Sequence, residues 1–420
     1  LRAEAERENG KENKLMFDNR ALFALLLPII IEQILNAIFS ILMAYVLILP
    51  FLPSEKITYA IASHGAAGSA IGTEVGVITG LIFCLIIYKM YHSKVKIQMR
   101  HDKTKYIESY RNILKILLMT ITPVILSTAI YNCCPTIDMT LFSSILVDKG
   151  MKSFKVSELY GVFSGQYNVL INIPLAMASA LTNAVIPNIS GAYALGQREK
   201  MNENIQMVIK FTMMIAIPCA VGLGVLNVPI NGLIFGVENG VGLGAGLLRA
   251  GAVSVVFTCM STVSNGILQG MDKMRVPIYH AAISVCVNVV VLYIGLTQTS
   301  LNTYTLVLAT TGFSIAMSLL NAVSIRKYSG YRQEFAKTFL KPAFSAVLMG
   351  IVIGVIQFVT FRFLPYGRVG FAVCLILAIP LGALVYFIGI IGTKMFTEEE
   401  LRSVPKGTLI IRLAKKLRLL

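Results

Sequence analysis

The chain has 420 residues, 56% of them hydrophobic and 14% charged, with a mean hydropathy of +0.73. An average soluble domain carries about a quarter charged residues, so a soluble fold is excluded and the chain reads as an integral membrane protein. Its formal net charge of +16 then points to basic loops against anionic lipid headgroups rather than to nucleic acid.

In chain order, residues 1–15 (LRAEAERENGKENKL) are polar and lack the apolar centre of a secretory signal. Met16 followed by FDNRALFALLL reads as a natural start, with residues 1–15 a tail or translated upstream sequence. Ten apolar runs follow, near 20–48, 64–90, 113–146, 160–190, 203–226, 245–269, 277–297, 303–325, 338–361 and 369–394. Each is long enough to span a bilayer as a helix of about 20 residues. The third exceeds one straight span, and Pro123 and the Asn132–Pro135 step are expected to kink it or end it early. LNVPINGLIFGVENGVGL at 226–243 reads as an extracytoplasmic turn with a short dipping helix. The ending TLIIRLAKKLRLL is basic and amphipathic, suited to the inner leaflet or to a soluble end.

Loop charge sets the expected orientation. Lys and Arg crowd the 89–115, 192–202, 270–276 and 326–341 loops and the C-terminal tail, all on one side if ten spans alternate. The 297–302 loop has no charge, and 362–368 has only Arg362 and Arg368. Both termini are therefore expected in the cytoplasm. Lys149, Lys152 and Lys155 are the exception.

Polar side chains inside the spans share faces. In the fourth span Asn168, Asn172, Ser179, Asn183 and Ser190 fall within about 40° of one line at 100° per residue. Pro174 and Pro187 would bend this helix and free carbonyls near the stripe. In the sixth span Ser254, Thr258, Ser261, Asn265 and Gln269 form a second stripe. Such stripes line a hydrated cavity or bond across packed helices, and the sequence leaves both open. Four charges stand inside or at the edge of spans. Glu32, Glu74 and Asp138 are candidates for binding a driving H⁺ or Na⁺, and Arg249 for gripping a phosphate or snorkelling to the interface.

Enzyme motifs are missing: no GxxxxGK[ST], HExxH or GxSxG occurs. The seven cysteines sit in or beside apolar runs without CxxC spacing, as small buried hydrophobes do, so neither a metal nor a cofactor is expected. His64, His92, His101 and His280 are scattered, with nothing evident to pair them. SAIGTEVG at 69–76 and GLGVL at 222–226 suit close helix packing better than nucleotide binding.

LYGVFSGQYNVLINIPLAMASALTNAVIPNISGAYALGQREK, SNGILQGMDKMRVPI and FTEEELRSVPKG together resemble the stage V sporulation protein B-like branch of the multidrug/oligosaccharidyl-lipid/polysaccharide exporter superfamily, related to the lipid II flippase. AAGSAIGTEVGVITGLIFCLIIY at 66–88 looks like that family's sixth helix, and FDNRALFALLLPIIIEQILNA at 17–37 like the first helix of the drug-extruding MATE branch. The resemblance implies an all-α polytopic membrane protein of about ten helices, MATE/MurJ-like with a reduced first lobe. About four helices of that lobe have no counterpart. It divides the chain into a tail (1–19), a two-span remnant of the first lobe (20–90), a basic loop (91–112), a six-helix lobe (113–325), two extra spans (326–394) and a basic tail (395–420).

The implied function is a flippase in the bacterial plasma membrane, not an enzyme, moving a lipid-linked oligosaccharide or undecaprenyl-linked cell-wall precursor by alternating access. Asp138 and Arg249, on helices resembling the seventh and tenth, would be its substrate or ion contacts. A cation-coupled drug antiporter and a non-transporting scaffold for envelope or spore assembly are the alternatives.

Overall fold

The computed structural model describes residues 19–51, 58–101, 109–236 and 242–393. The expected tails, with the amphipathic ending, lie outside the described residues. Each of the ten apolar runs coincides with a helix, and there is no strand among the described residues. The chain is an all-α polytopic membrane protein: eight described helices are long and apolar enough to cross a membrane. It divides into two compact units, residues 1–109 and 110–420.

The first unit is a helical hairpin of α1 (Asn19–Ile48) and α2 (Thr58–His101), packed along their lengths. Glycine decides this contact. Gly65, Gly68, Gly72, Gly76 and Gly80 of α2 face Ile48, Met43 with Ala44, Ser40, Asn36 and Glu32 of α1, in antiparallel register. A Cβ on Gly68 would lie 2.5 Å from the Met43 carbonyl and 2.6 Å from Ala44 Cα. On Gly72 it would collide with the Ser40 backbone. Without a hydrophobic drive between helices in lipid, such close backbone approach is what holds them together. Ser40 Oγ bridges the seam, donating to Ser69 O at 3.2 Å and to Asn36 Oδ1 at 2.9 Å. Helix α2 also runs past the expected start of the basic loop, to His101. YHSKVKIQMRH contains no Gly or Pro and several good helix formers, so nothing local stops it.

The second unit runs α3 (Tyr110–Asp148), α4 (Ser153–Val162), a π turn at Phe163–Tyr167, α5 (Asn168–Ala194), α6 (Arg198–Val225), the short α7 (Asn227–Ile234), α8 (Leu243–Gly270), α9 (Val276–Gln298), α10 (Thr303–Ser329), a second π turn at Ala336–Leu340, α11 (Lys341–Phe363) and α12 (Arg368–Gly392). Helix α8 is its axis, packing against α5, α6 and α10, with Leu247, Leu248, Val255, Val263, Ile267 and Leu268 fully buried. Helix α3 lies along α9, α11 along α6, and α12 along α11 and α7.

The early end expected of the third span is not seen: helix α3 runs through Pro123 and Asn132–Pro135 as 39 continuous residues. Proline is tolerated in spanning helices whose neighbours steady the freed backbone, and α9 packs along this one. Two of the three lysines that broke the charge pattern have partners. Lys149 Nζ donates to the carbonyls of Leu296 and Thr297 at the end of α9, where a cation suits the helix dipole. Lys155 pairs with Glu158 at 3.0 Å.

The glycine seam yields a test. Gly72→Val should destabilise the detergent-solubilised protein by about 1–3 kcal/mol, as overpacking does. Gly161→Val, whose Cβ would meet nothing within 4 Å, should leave the thermal melt unchanged.

Candidate functional site

A cavity of about 190 Å³ lies within the second unit, between α3, α5, α8, α9 and α10. Its wall begins at the π turn. The extra residue per turn there brings Tyr167 inward, stacked on Phe163 at 5.4 Å. The ring fits because α8 carries Gly251 opposite it; any Cβ there would overlap the phenol. Tyr167 Oη is 2.8 Å from Ser254 Oγ, and Ser254 in turn donates to Gly251 O at 2.6 Å. Thr258 and Ser314 share a hydrogen bond of 3.0 Å and join α8 to α10 on the same wall.

Asp138 and Asn288 form the polar end, one from α3 and one from α9. Asp138 is 2% exposed and Asn288 fully buried. Asp138 Oδ1 and both side-chain polar atoms of Asn288 lack a hydrogen-bond partner. The Asn288 amide is near enough to act on the carboxyl, yet no oriented hydrogen bond joins them. No Lys, Arg or His lines the cavity to balance the carboxylate. Buried polar groups are nearly always satisfied, and an uncompensated carboxylate in a low dielectric is costly. This arrangement is suited to a proton, a small cation or a hydroxyl-rich group.

The expected stripes divide at this cavity. Asn168 and Asn172 line it from α5, and Ser254 and Thr258 from α8. The remaining positions do not reach it. Ser179 Oγ bonds back to Leu175 O at 3.0 Å, while Asn183 and Ser190 are exposed further along α5. Ser261 is fully buried and bonds back to Thr258 O at 2.9 Å. Asn265 Oδ1 accepts from Asn321 Nδ2 at 2.7 Å. Part of each stripe thus lines this cavity, while the other positions bond within the bundle or lie exposed.

The packed positions meet at a hub whose centre, Asn321, belongs to neither stripe. Asn321 of α10 is fully buried and donates to Ser264 Oγ at 2.9 Å as well as to Asn265. Its Oδ1 lies 2.7 Å from His280 Nδ1, and His280 Nε2 lies 3.3 Å from Ser324 Oγ. His280 is thus paired after all, by residues 41 and 44 positions away. Thr310, Ser314 and Asn321 fall within about 40° of one line on α10, a further stripe that the sequence carries, whereas Asn288 stands apart on α9.

The other candidates lie elsewhere. Glu32 borders Gly80 in the first unit, its Oε2 within 3.5 Å of where a Cβ would stand, and Glu74 is exposed there. Arg249 is exposed and lines a different pocket at the far end of α8.

A family model described as lipid II flippase MurJ matches residues 28–378. The chain is 24% identical over 367 residues to the lipid II flippase MurJ of Bacillus subtilis (strain 168), covering 85% of this chain and 64% of that protein. It is 23% identical over 359 residues to the uncharacterized membrane protein YabM of the same organism, covering 84% and 65%. A solved structure of lipid II flippase MurJ in an inward closed conformation shares the fold at TM-score 0.53 and 19% identity, covering 83% of this chain and 65% of that one. The chain thus spans 64–65% of the length of these relatives.

Solvent access separates the cavity-lining positions from the packed ones. In a cysteine-free background, Asn172→Cys should react with a water-soluble thiol reagent at least about tenfold faster than Ser261→Cys or Asn321→Cys, because the reagent needs a hydrated thiolate.

Proposed function

The chain belongs to the lipid II flippase MurJ family, and from that premise we propose that it moves a lipid-linked oligosaccharide or undecaprenyl-linked cell-wall precursor across the bacterial plasma membrane by alternating access. The observation that carries this reading is the cavity of Asp138, Asn288, Asn168 and Asn172, set inside a bundle of membrane-spanning helices. A sugar diphosphate headgroup cannot cross hydrocarbon unaided, and a cavity with unsatisfied polar groups offers replacement for its water. Hydroxyl and amide groups set beside Phe313 and Ile171 suit the polar and apolar faces of a saccharide.

In this reading Asp138 couples transport to an ion. Its carboxyl, facing Asn288 with no cation beside it, would gain most from H⁺ or Na⁺ in one conformation and release it in the other. Asn168, Asn172, Ser254 and Thr258 serve as substrate-path contacts; Ser179, Ser261 and Asn265 serve as the rigid frame. Asn183 and Ser190 would extend the path along α5, and Glu32 and Glu74 belong to the first unit as further ion candidates. The distribution of basic loops supports a cytoplasmic position for both termini.

One observation keeps a second reading in view. A buried, uncompensated carboxylate equally suits a cation-coupled drug antiporter.

Reconstitution tests both. In proteoliposomes the protein should flip a fluorescent undecaprenyl-diphosphate-linked oligosaccharide faster than protein-free vesicles do. Asp138→Asn should slow this at least about tenfold, the loss of one good ionic contact. Absence of flipping, together with dye export that Asp138→Asn abolishes, would replace the flippase reading with the antiporter.

A further inference from the structure

The pocket that holds Arg249 is the larger of the two, about 530 Å³. It opens where α6 ends, α7 begins and α11 passes α8, so it lies on the seam between the helices around α8 and the α11–α12 pair. By chain direction this is the end of the unit opposite the basic 192–202, 270–276 and 326–341 loops. Arg362, near the end of α11, lines the same pocket. Among the described residues, neither guanidinium has a hydrogen bond or an ion pair. Two like charges on one pocket repel each other and are relieved by an anion between them. Guanidinium groups match phosphate oxygens in paired, charge-assisted hydrogen bonds.

Two more features narrow the ligand. Gln357 Oε1 is buried on the pocket wall without a donor. A carbonyl oxygen does not want phosphate; it wants a hydroxyl. The lining is also aromatic: Phe361 stacks on Tyr366 at 4.6 Å, and Phe358 is 75% exposed. Aromatic rings at the end of a span sit at headgroup depth, where one face meets acyl chains. The floor is set by Asn227 Nδ2, which donates to Gly224 O at 2.6 Å across the α6–α7 step.

We propose that the Arg249–Arg362 pocket binds the phosphate of an anionic lipid whose headgroup also carries a hydroxyl, with Gln357 accepting from that hydroxyl and the acyl chains running past Phe358. The site is separate from the Asp138 cavity and does not rest on the flippase reading. It would dock a bilayer lipid at the seam of α6, α8 and α11, on the leaflet away from the basic loops.

Native mass spectrometry of the full chain in detergent tests this with three probes: dioleoylphosphatidylglycerol, dioleoylphosphatidylcholine and inorganic phosphate. Phosphatidylglycerol should bind more tightly than phosphatidylcholine. Arg249→Gln and Arg362→Gln should each weaken it about tenfold, as loss of a charge-assisted contact does. Arg368→Gln, at the same end of the unit but outside the pocket, should leave binding unchanged. Gly354→Leu provides a variant that keeps both arginines. A Cβ there meets only Val225 Cγ1, at 3.8 Å, so the side chain enters the pocket and should exclude the lipid. Equal phosphatidylglycerol binding by wild type and all three pocket variants would overturn the site. Binding of inorganic phosphate with the same arginine dependence, and no preference for the lipid, would overturn the lipid as its source. Because Asp138→Asn leaves this pocket untouched, lipid binding that survives in that variant separates this site from the transport reading.

Discussion

A polar atom on a membrane-spanning helix must find its partner inside the protein or in water that the protein admits, because lipid offers none. Most of this structure follows from how that demand is met. Ser179, Ser254 and Ser261 meet it locally by bonding back to carbonyls one turn earlier. Asn321 meets it between helices, tying α8, α9 and α10 together through Ser264, Asn265 and His280. At Asp138 and Asn288 the demand is left open. Other buried polar atoms also lack partners, among them both side-chain atoms of Asn231, but Asp138 and Asn288 lie together on the wall of one cavity.

Close approach is the complementary device. Helices in lipid gain little from apolar surface alone, so backbones come together where side chains are smallest. The α1–α2 seam does this with glycine at nearly every turn. Around the cavity the same device has a more specific use. Gly251 makes room for the Tyr167 ring, and the π turn before it rotates that ring inward. The cavity wall is thus shaped by an absent side chain on one helix and an extra residue per turn on another.

The family match covers residues 28–378, across both compact units, while the chain spans 64–65% of its relatives' length. The first unit holds two long described helices, as many as the two-span remnant that the resemblance implies. Those two helices form a hairpin with continuous small-residue register, and the second unit completes its own core and cavity. Cavity and lipid pocket both lie within residues 110–420, so the chemistry proposed for them is contained in one unit.

Hydropathy alone determined the class and the ten helices, because a run of apolar residues the length of a bilayer has one stable conformation there. Helical periodicity also found four of the cavity's lining residues: Asn168, Asn172, Ser254 and Thr258 were visible as neighbours on their own helices. Periodicity gives the face a residue occupies but not what stands opposite. Asn265 carries the same signal as Ser254 and Thr258, and only the position of Asn321 on α10 assigns it to packing. Asp138 needed Asn288, 150 positions later, and Arg249 needed Arg362, on α11. Those pairings are set by which helices lie side by side, a property of the tertiary fold that no spacing within one helix encodes.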